Sequence, residues 1–308
     1  MEILAQIFTA SVFASAIRLA TPYLLAAIGE TFSQRSGVLN LGVDGIMLLG
    51  AFASFYAVFR TESLLFGVIV ALVVGALMGL FMAFISVTLQ AEQGISGIGV
   101  YLFGLGFSEL LFQQLIGTPR SVDGFPRLDI PFLSDLPVLG EILFSHNLLV
   151  YLAFALVPIS AFIFNRTKFG LNIRAVGQNP EAADAMGVNV ARVRYTTVTI
   201  GGALAGLAGA SLSIALINVF QQNLTSGIGF IAVALVYFGG WRPWGVVGGA
   251  MIFGFVRAVQ VQIDSLGFLD NYNEIMIMAP YIITIIALVF ATKRQEQPTA
   301  LTLPFQRE

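Results

Sequence analysis

Few residues of this chain could do chemistry, and those few are amides, carboxylates and arginines. Asn40 and Asp44 lie in a segment interrupted by glycines. Four further amides separate two apolar segments: Asn218, Gln221, Gln222 and Asn223. Neutral amides both donate and accept hydrogen bonds, which suits a sugar or a base. An ordinary loop is the alternative, because turns attract Asn and Gln whatever their function. These residues are therefore candidate contacts for a small polar ligand.

Three ionisable residues, Arg18, Glu109 and Arg257, interrupt long apolar segments. A charge within a membrane is costly, so it marks a functional site or a buried ion pair. At about 1.5 Å of rise per residue, Glu109 and Arg257 lie at similar depths, about 20 Å from the inner ends of their segments. They are therefore expected either to pair with each other or to contact a substrate.

Residue types that serve catalysis or metal binding are scarce. The chain has 0 Cys and one His, which excludes disulfides, thiol chemistry and a zinc site, and His146 is expected to be a solvated loop residue. Lys168 and Lys293 both follow Thr, so the phosphate-binding sequence Gly-x-x-x-x-Gly-Lys-Ser/Thr is absent. We expect no enzyme activity, no catalytic residue, no metal and no cofactor in this chain.

Membrane helices are the elements that must position these residues. Hydrophobic residues make up 57% of the 308-residue chain, charged residues 10%, and the mean hydropathy is +0.88. These values indicate an all-α polytopic membrane protein. A single membrane domain, 1–308, is predicted with about nine transmembrane or broken helices: 4–28, 43–60, 63–90, 95–117, 147–165, 195–217, 224–240, 244–262 and 274–291.

Basic residues orient these segments. The 166–194 loop holds five of them: Arg166, Lys168, Arg174, Arg192 and Arg194. The positive-inside rule places this loop in the cytoplasm. Alternation of nine spans then puts the N-terminus outside and the C-terminus inside, with ten of the 15 basic residues cytoplasmic. The 118–147 loop becomes external, where it could touch a soluble partner. Trp241 and Trp244 fall at the cytoplasmic edge, as interfacial anchors do.

Within the cytoplasmic loop, residues 179–187 have the pattern of a short capped helix. Asn179 is a good N-cap, Pro180 suits the first helical position, and Glu181 favours the positive end of the helix dipole. Gly187 can end the helix about two turns later. A helix of this length is too short to span a membrane.

Glycines interrupt two segments at corresponding places in the two halves of the chain. Residues 35–50 carry several glycines, and residues 226–245 begin with Ser-Gly and end with Gly-Gly-Trp-Arg-Pro-Trp-Gly. Transporter sites tend to lie where membrane helices are interrupted in this way, so both segments are candidate parts of a pathway. The Gly-x-x-x-Gly pairs at 75–79, 202–206 and 245–249 are assigned to helix packing instead.

The capped helix resembles part of a known family. Its residues Glu181-Ala182-Ala183 and Gly187 are similar to the EAA-type loop of ABC importer permeases, in which a coupling helix sits in a cleft of the ATPase subunit. The resemblance implies that residues 179–187 couple this chain to a separate ATPase, and that ATP and Mg bind that partner.

Two further stretches resemble one group of these permeases. Residues 34–45, Gln-Arg-Ser-Gly-Val-Leu-Asn-Leu-Gly-Val-Asp-Gly, resemble the permeases for branched-chain amino acids, ribose and nucleosides. The turn at 239–245 is similar to that of nucleoside importers, although Gly240 stands where a Lys is expected. The resemblance implies a nucleoside permease of the plasma membrane, with a related second permease as heterodimer partner and an external substrate-binding lipoprotein.

Other functions stay open from the sequence. A permease of this group could carry a sugar or a branched-chain amino acid, and an ion-coupled secondary transporter could use Arg18, Glu109 and Asp44 as coupling groups. A secondary transporter needs no capped cytoplasmic helix, so the 179–187 helix favours the ABC importer. The net charge of -2 gives no indication of nucleic acid as a partner.

Overall fold

A computed structural model of the protein describes residues 9–266 and 297–306, together with Met278 and Ile282. Within these residues the fold is all-α, as the sequence predicts, apart from two strands of two residues each. The predicted segment 274–291 lies almost wholly outside the described residues. So do the following parts of the chain: residues 1–8, Lys293, Arg294 and Arg307.

Eleven helices follow one another along the described chain: α1 (Ala10–Arg35), α2 (Val43–Thr61), α3 (Leu64–Ala83), α4 (Gln93–Leu115), α5 (Leu139–Leu143), α6 (Leu148–Arg166), α7 (Lys168–Gln178), α8 (Pro180–Ala185), α9 (Val190–Ser211), α10 (Ile228–Phe238) and α11 (Pro243–Leu266). The strands β1 (Leu128–Asp129) and β2 (Ser145–His146) pair antiparallel. Single wider π-helical turns, Phe84–Thr88 and Leu212–Leu216, extend α3 and α9.

Seven of these helices are long and apolar enough to cross a membrane: α1, α2, α3, α4, α6, α9 and α11. Helix α10 is apolar but has only 11 residues. At 1.5 Å per residue it is about 16 Å long, so it crosses only part of the bilayer. These eight helices correspond to eight of the nine predicted segments, and the polytopic all-α prediction is confirmed.

Helix α9 lies at the centre of the bundle. It packs against α1, α2 and α3, and most of its residues are buried. The outer helices α3, α4, α6 and α11 expose large apolar side chains, such as Leu77, Phe103 and Phe162. In water such faces would promote association, whereas lipid tails solvate them. The apolar surface is therefore the surface of a membrane bundle.

Small residues allow the central helices to approach closely. A Cβ built on Gly206 of α9 would lie 2.3 Å from the carbonyl oxygen of Ala71 on α3. A Cβ on Gly50 of α2 would lie 2.5 Å from Gly206 Cα, and one on Gly202 would lie 2.4 Å from the Gly75 carbonyl oxygen. Three helices thus meet backbone to backbone, which is the packing role predicted for the first two Gly-x-x-x-Gly pairs.

The two long loops lie at opposite ends of α9. The 166–194 loop leads into its first turn, whereas the 118–147 loop reaches its far end, where Ser121 forms an isolated bridge with Val219. The C-terminal residues 298–306, here named the C-terminal strap, return to the bundle on the α7 side. There the Ala300 N–H donates to the carbonyl of Gly177 in α7 (2.9 Å).

Candidate functional site

Asp44 joins the two glycine-interrupted segments. It lies in the first turn of α2 and is fully buried. Its carboxylate accepts hydrogen bonds from the Thr225 hydroxyl (2.8 Å) and from the Gly229 N–H (2.7 Å) at the start of α10. The carboxylate therefore lies in the first turn of α2 and bonds the first turn of α10. Unpaired N–H groups and the helix dipole favour negative charge at such N-terminal ends. A Cβ on Gly229 would lie 2.4 Å from Asp44 Cα, so this approach requires glycine.

Asn40 lies in the turn between α1 and α2 and is also fully buried. Its N–H donates to Glu30 Oε1 (3.0 Å), and its side-chain oxygen accepts from the Gly42 N–H (2.9 Å). Two buried polar atoms near this turn, Ser33 Oγ and Asn40 Nδ2, have no hydrogen-bond partner within the described part of the chain. Buried polar atoms are normally paired with protein or water, so this turn retains unused hydrogen-bonding capacity.

A cavity of about 720 Å³ lies between α1, the end of α9, the connection to α10, and α11. This volume is within the range of small-molecule pockets. Its polar lining includes the following residues: Arg18, Tyr23, Gln221, Thr225, Ser226 and Arg257. Asn40 and Asp44 do not line it, but Thr225 does and also bonds Asp44. The contact between Asp44 of α2 and the segment that begins α10 therefore lies directly behind one wall of the cavity.

Both intramembrane arginines face this cavity. Arg18 donates to Ser15 Oγ and Arg257 donates to Gln260 Oε1, each at 2.8 Å. Neither bond neutralises a charge, and no carboxylate lines the cavity among the residues that the structure describes. The cavity is therefore rich in cationic hydrogen-bond donors. Tyr23 and Thr225 are lining residues that sequence reasoning missed, although Thr225 directly precedes the Ser-Gly break.

Glu109 lies elsewhere. It is on α4, which packs against α2 and contributes no residue to the lining of this cavity. Its carboxylate accepts a hydrogen bond from Gln113, one turn along the same helix, at 2.6 Å. The ion pair with Arg257 that similar depths suggested is not formed: within the described residues α4 is not one of the helices packed against α11, and each group is bonded to an amide of its own helix. Depth alone did not indicate which sides of the bundle the two residues occupy.

The four amides between α9 and α10 have different environments. Gln221 lines the cavity, and Gln222 is exposed. Asn218 and Asn223 have positive φ angles of 60° and 52°, a conformation that Asn tolerates in turns. The Asn218 carbonyl also accepts the Val122 N–H of the neighbouring loop (3.0 Å). One of the four thus faces the cavity, and two shape the turn.

The N-terminal end of α8 has the geometry that its sequence predicts. Asn179 Oδ1 accepts the Ala182 N–H at 2.9 Å, and Pro180 occupies the first helical position. Glu181 and Ala182 are exposed, whereas Ala183 is buried against the bundle. Pro180 and Asp184 are partly covered, so the helix presents Glu181, Ala182 and Ala185 outward.

Gly187 closes α8 as predicted. Its φ is 86°, in the region that favours glycine. The Gly187 and Val188 N–H groups donate to the carbonyls of Asp184 (2.8 Å) and Ala183 (3.0 Å), which is a Schellman C-cap. Beside it, Met186 is 85% exposed. A short, fully capped helix with an exposed apolar tip is suited to docking on another protein.

A second helix in this loop, α7, was not predicted. Thr167 Oγ1 caps its start by accepting the Gly170 N–H (3.1 Å), and α7 buries Ile173 and Val176. Only Asn179 separates it from α8. Ile173 and Val176, three residues apart, form one buried face of an amphipathic helix, and this spacing is the signal in the sequence that could have predicted it.

Trp241 is buried and is not the interfacial anchor that its position suggested. It is 3% exposed, its indole Nε1 donates to Gln34 Oε1 (2.8 Å), and its ring packs edge-on against Tyr237. Trp244 is 64% exposed, as expected of an anchor. The Trp-Arg-Pro turn thus packs α10 onto the end of α1.

His146 is also buried, which corrects its assignment as a solvated residue. It is 1% exposed, its Nε2 lies 2.8 Å from the Ile142 carbonyl oxygen, and its N–H donates to the Tyr151 hydroxyl (3.1 Å). Burial lowers the pKa of His146 below its ordinary value. The hydrogen bond to Ile142 opposes this shift, and the cations of Arg18 and Arg127 reinforce it. His146 is therefore a structural residue of the 118–147 loop.

Lipid-facing helices, interrupted helices that meet beside a polar cavity, and an exposed capped helix together define a transport subunit of a membrane. The chain belongs to the family described as "Branched-chain amino acid transport system / permease component", whose sequence profile matches residues 12–289. It is a multi-pass permease subunit of an ABC transporter in the plasma membrane.

Three relatives are similar over more than nine-tenths of both chains. The guanosine ABC transporter permease protein NupQ of Bacillus subtilis is 40% identical over 93% of this chain and 93% of its own. The putative glucose ABC transporter permease protein TsgC13 of Haloferax volcanii is 37% identical, with 98% and 99% covered. The nucleoside ABC transporter permease protein NupC of Lactococcus lactis is 32% identical, with 91% and 92% covered.

Two of these bacteria also have a more distant match. NupP of Bacillus subtilis, named for guanosine, and NupB of Lactococcus lactis, named for nucleosides, are each 26% identical to this chain. They cover 81% and 77% of it, and 74% and 68% of their own chains are matched. No solved structure gave a significant match.

Proposed function

We propose that this permease translocates nucleosides, as part of an ATP-driven importer. The observation that carries the proposal is the cavity of about 720 Å³ with two arginines, Gln221 and Tyr23 in its lining. A cavity of this size admits a nucleoside. Relatives named for guanosine and for nucleosides, similar along the whole chain, support the same substrate class.

The chemistry of the lining favours a nucleobase. A guanidinium donates two parallel hydrogen bonds, which match the adjacent O6 and N7 acceptors of an oxopurine. Gln221, which is exposed in the lining, can bond ribose hydroxyls. A hexose offers vicinal hydroxyls but no planar ring with two acceptors in the ring plane. An amino acid carries an ammonium group, and no described residue of this lining supplies a carboxylate to balance that charge.

Charge and geometry support one orientation of the complex. The 166–194 loop with its five basic residues is cytoplasmic, and the 118–147 loop at the other end of α9 is external. The C-terminal strap contacts α7 of the 166–194 loop, so the strap is cytoplasmic too. The cavity then lies nearer the external side, beside Arg18 and the end of α9.

The complex has four kinds of component in this proposal. Helix α8 docks on a separate ATPase subunit, which binds ATP and Mg, and this chain itself has no enzyme activity. A related second permease completes the pathway, because two distinct permeases in each of two bacteria resemble this chain. An external lipoprotein delivers the substrate.

The substrate is tested by uptake in proteoliposomes that contain the complete complex. Labelled guanosine is offered with unlabelled guanosine, glucose or leucine as competitor, and only nucleosides are expected to compete. Arg257→Gln should lower kcat/KM for guanosine about tenfold, the value of one bidentate contact. Arg60→Gln is the matched control, because Arg60 is exposed and lies outside this cavity. Uptake of glucose or leucine without nucleosides would overturn the substrate assignment.

Docking of α8 is tested at both of its ends. Glu181→Arg places a positive charge at the positive end of the helix dipole. Gly187→Val forces a β-branched residue to a φ of 86°. Both variants should lose ATPase co-purification and uptake while membrane insertion persists. Gly187→Asn is the control, because Asn tolerates this conformation and a Cβ here meets no atom within 4 Å. Unchanged co-purification in Glu181→Arg and Gly187→Val would remove α8 from the docking site.

A further inference from the structure

The C-terminal strap connects three separate parts of the bundle on the side of the 166–194 loop. Five hydrogen bonds attach it to α7, to the α1–α2 turn and to the connection after α3. Three of them use backbone groups of the strap: Ala300 N–H to Gly177 O (2.9 Å), Thr302 N–H to Gly37 O (3.1 Å), and Gln90 Nε2 to Phe305 O (3.0 Å). The other two join side chains: Thr299 to Gln178 (2.8 Å) and Gln306 to Gln90 (2.7 Å). Most of these bonds use backbone groups of the strap, so its attachment depends mainly on the course of its backbone and not on one particular side chain.

Arg194, in the second turn of α9, ties the strap to this helix. It is 1% exposed, its Nε donates to the Ser36 carbonyl (3.2 Å), and its Nη1 donates to the Leu303 carbonyl (3.0 Å). Its Nη2 has no hydrogen-bond partner among the described residues. Burying a guanidinium between two carbonyls is costly. The planar, forked group can nevertheless hold two chain segments at one fixed distance, which a lysine cannot.

The Ser36–Gly37 turn receives both Arg194 and the strap. Ser36 Oγ bonds Thr197 Oγ1 of α9 at 2.8 Å. Gly37 has φ of 93°, and a Cβ there would lie 2.9 Å from the Ala300 carbonyl oxygen and 3.0 Å from Arg194 Nη2. The strap, α9 and the turn are therefore packed without space between them.

This turn is the start of the segment that reaches the cavity. Three residues beyond Gly37 comes Asn40, and Asp44 then bonds Thr225 in the cavity wall. In the sequence, the docking helix α8 lies between α7 and Arg194. The strap hydrogen bonds to α7 through Ala300 and to Arg194 through Leu303. A continuous set of contacts thus runs from α8 to the cavity.

We propose that the strap is a brace that transmits movement of α8 to the α1–α2 turn, with Arg194 as its positioning residue. This inference rests on the proposed docking of an ATPase at α8. The strap stays in place throughout the cycle, so that α7, α8, the start of α9 and the turn move as one body. Without the strap, the ATPase still docks and hydrolyses ATP, but less of that hydrolysis moves substrate.

Truncation tests the brace directly. A chain ending at Gln297 lacks the strap, and a chain ending at Gln306 is the matched control. Both are assembled with the ATPase and the other subunits in proteoliposomes, and the ATP hydrolysed per substrate transported is measured. The shorter chain should co-purify the ATPase normally while this ratio rises about tenfold or more, the scale of typical coupling between sites. An unchanged ratio, or loss of the ATPase, would overturn the proposal.

Cross-linking tests whether the strap stays in place. The chain has no native Cys, and the side chains of Thr299 and Gln178 hydrogen bond at 2.8 Å. Cysteines at these two positions are within reach of a short, reducible bis-thiosulfonate linker. Cross-linked complex should transport as well as reduced complex. Uptake that stops on cross-linking and returns on reduction would show that the strap must leave, contrary to the proposal.

Arg194→Lys tests the positioning role without removing the charge. It should raise the ATP-to-substrate ratio, because an ammonium group cannot bridge the Ser36 and Leu303 carbonyls in the same way. Arg192→Lys, exposed on the same helix, is the control. Equal ratios in the two variants would contradict a role for Arg194. The ratio is measured with whichever substrate the complex carries, so an error in the nucleoside assignment leaves this test intact. A complete complex that binds no ATPase would refute both proposals.

Discussion

Removing the carboxylate of Asp44 is expected to destabilise the junction of the two interrupted helices more than any nearby polar change. Asp44→Ala leaves at least two buried donors unpaired, the Thr225 hydroxyl and the Gly229 N–H. An unsatisfied buried donor costs about 1–3 kcal/mol, so the variant should lose about 2–6 kcal/mol of unfolding free energy. Thr225→Val removes one donor of the pair and should cost about 1.5–3 kcal/mol, the value of a hydrogen bond to a charged group.

The assay is SDS-induced unfolding in detergent micelles, followed by the fluorescence of Trp241, which is buried, and Trp244, which is exposed. A double-mutant cycle separates the pair from its surroundings. Thr225→Val should cost far less when Asp44 is already Ala, because its hydroxyl then has no carboxylate to bond. Glu62→Gln controls for loss of a carboxylate, since Glu62 is exposed at the end of the same helix. Equal effects of Thr225→Val in both backgrounds, or a stability of Asp44→Ala equal to that of Glu62→Gln, would refute the reasoning.

Three further outcomes follow from packing, burial and orientation. Gly206→Ala should cost about 1–3 kcal/mol through overpacking, whereas Gly99→Ala, with no atom within 4 Å of the new Cβ, should be neutral or stabilising in the same SDS titration. Burial lowers the pKa of His146 in the folded loop. As the pH falls, the unfolded loop therefore binds a proton at a higher pH than the folded loop does. Stability of the 118–147 loop should therefore decline as the pH falls below about 6.5 and level off below the folded pKa; labelling of a Cys at Ser134 should rise over that interval, and His146→Gln should abolish the rise. For topology, a single Cys at Ser134 should react with an impermeant reagent in intact cells and one at Ala185 only after permeabilisation; the reverse pattern would invert the orientation.

The parts of this fold that sequence predicted well depend on neighbouring residues. Each membrane-spanning helix satisfies its backbone groups within its own segment. A span can therefore be recognised from one continuous apolar run of the sequence. The caps of α8 were equally visible, since Asn179 and Gly187 act on N–H and carbonyl groups three or four residues away. Helix α7 was not predicted, although the spacing of Ile173 and Val176 and the Thr167 cap are local signals of the same kind.

By itself, the sequence determined that this is a polytopic membrane protein with two interrupted segments and one short capped helix. Only the tertiary structure decided which residues meet. Asp44 bonds Gly229, 185 positions away, and Arg194 bonds Leu303, 109 positions away. The tertiary structure also buries His146 and Trp241 and places Glu109 away from Arg257. The physical reason is that composition sets the depth of a residue in the membrane, whereas the side of the bundle that it occupies depends on how all the helices pack together.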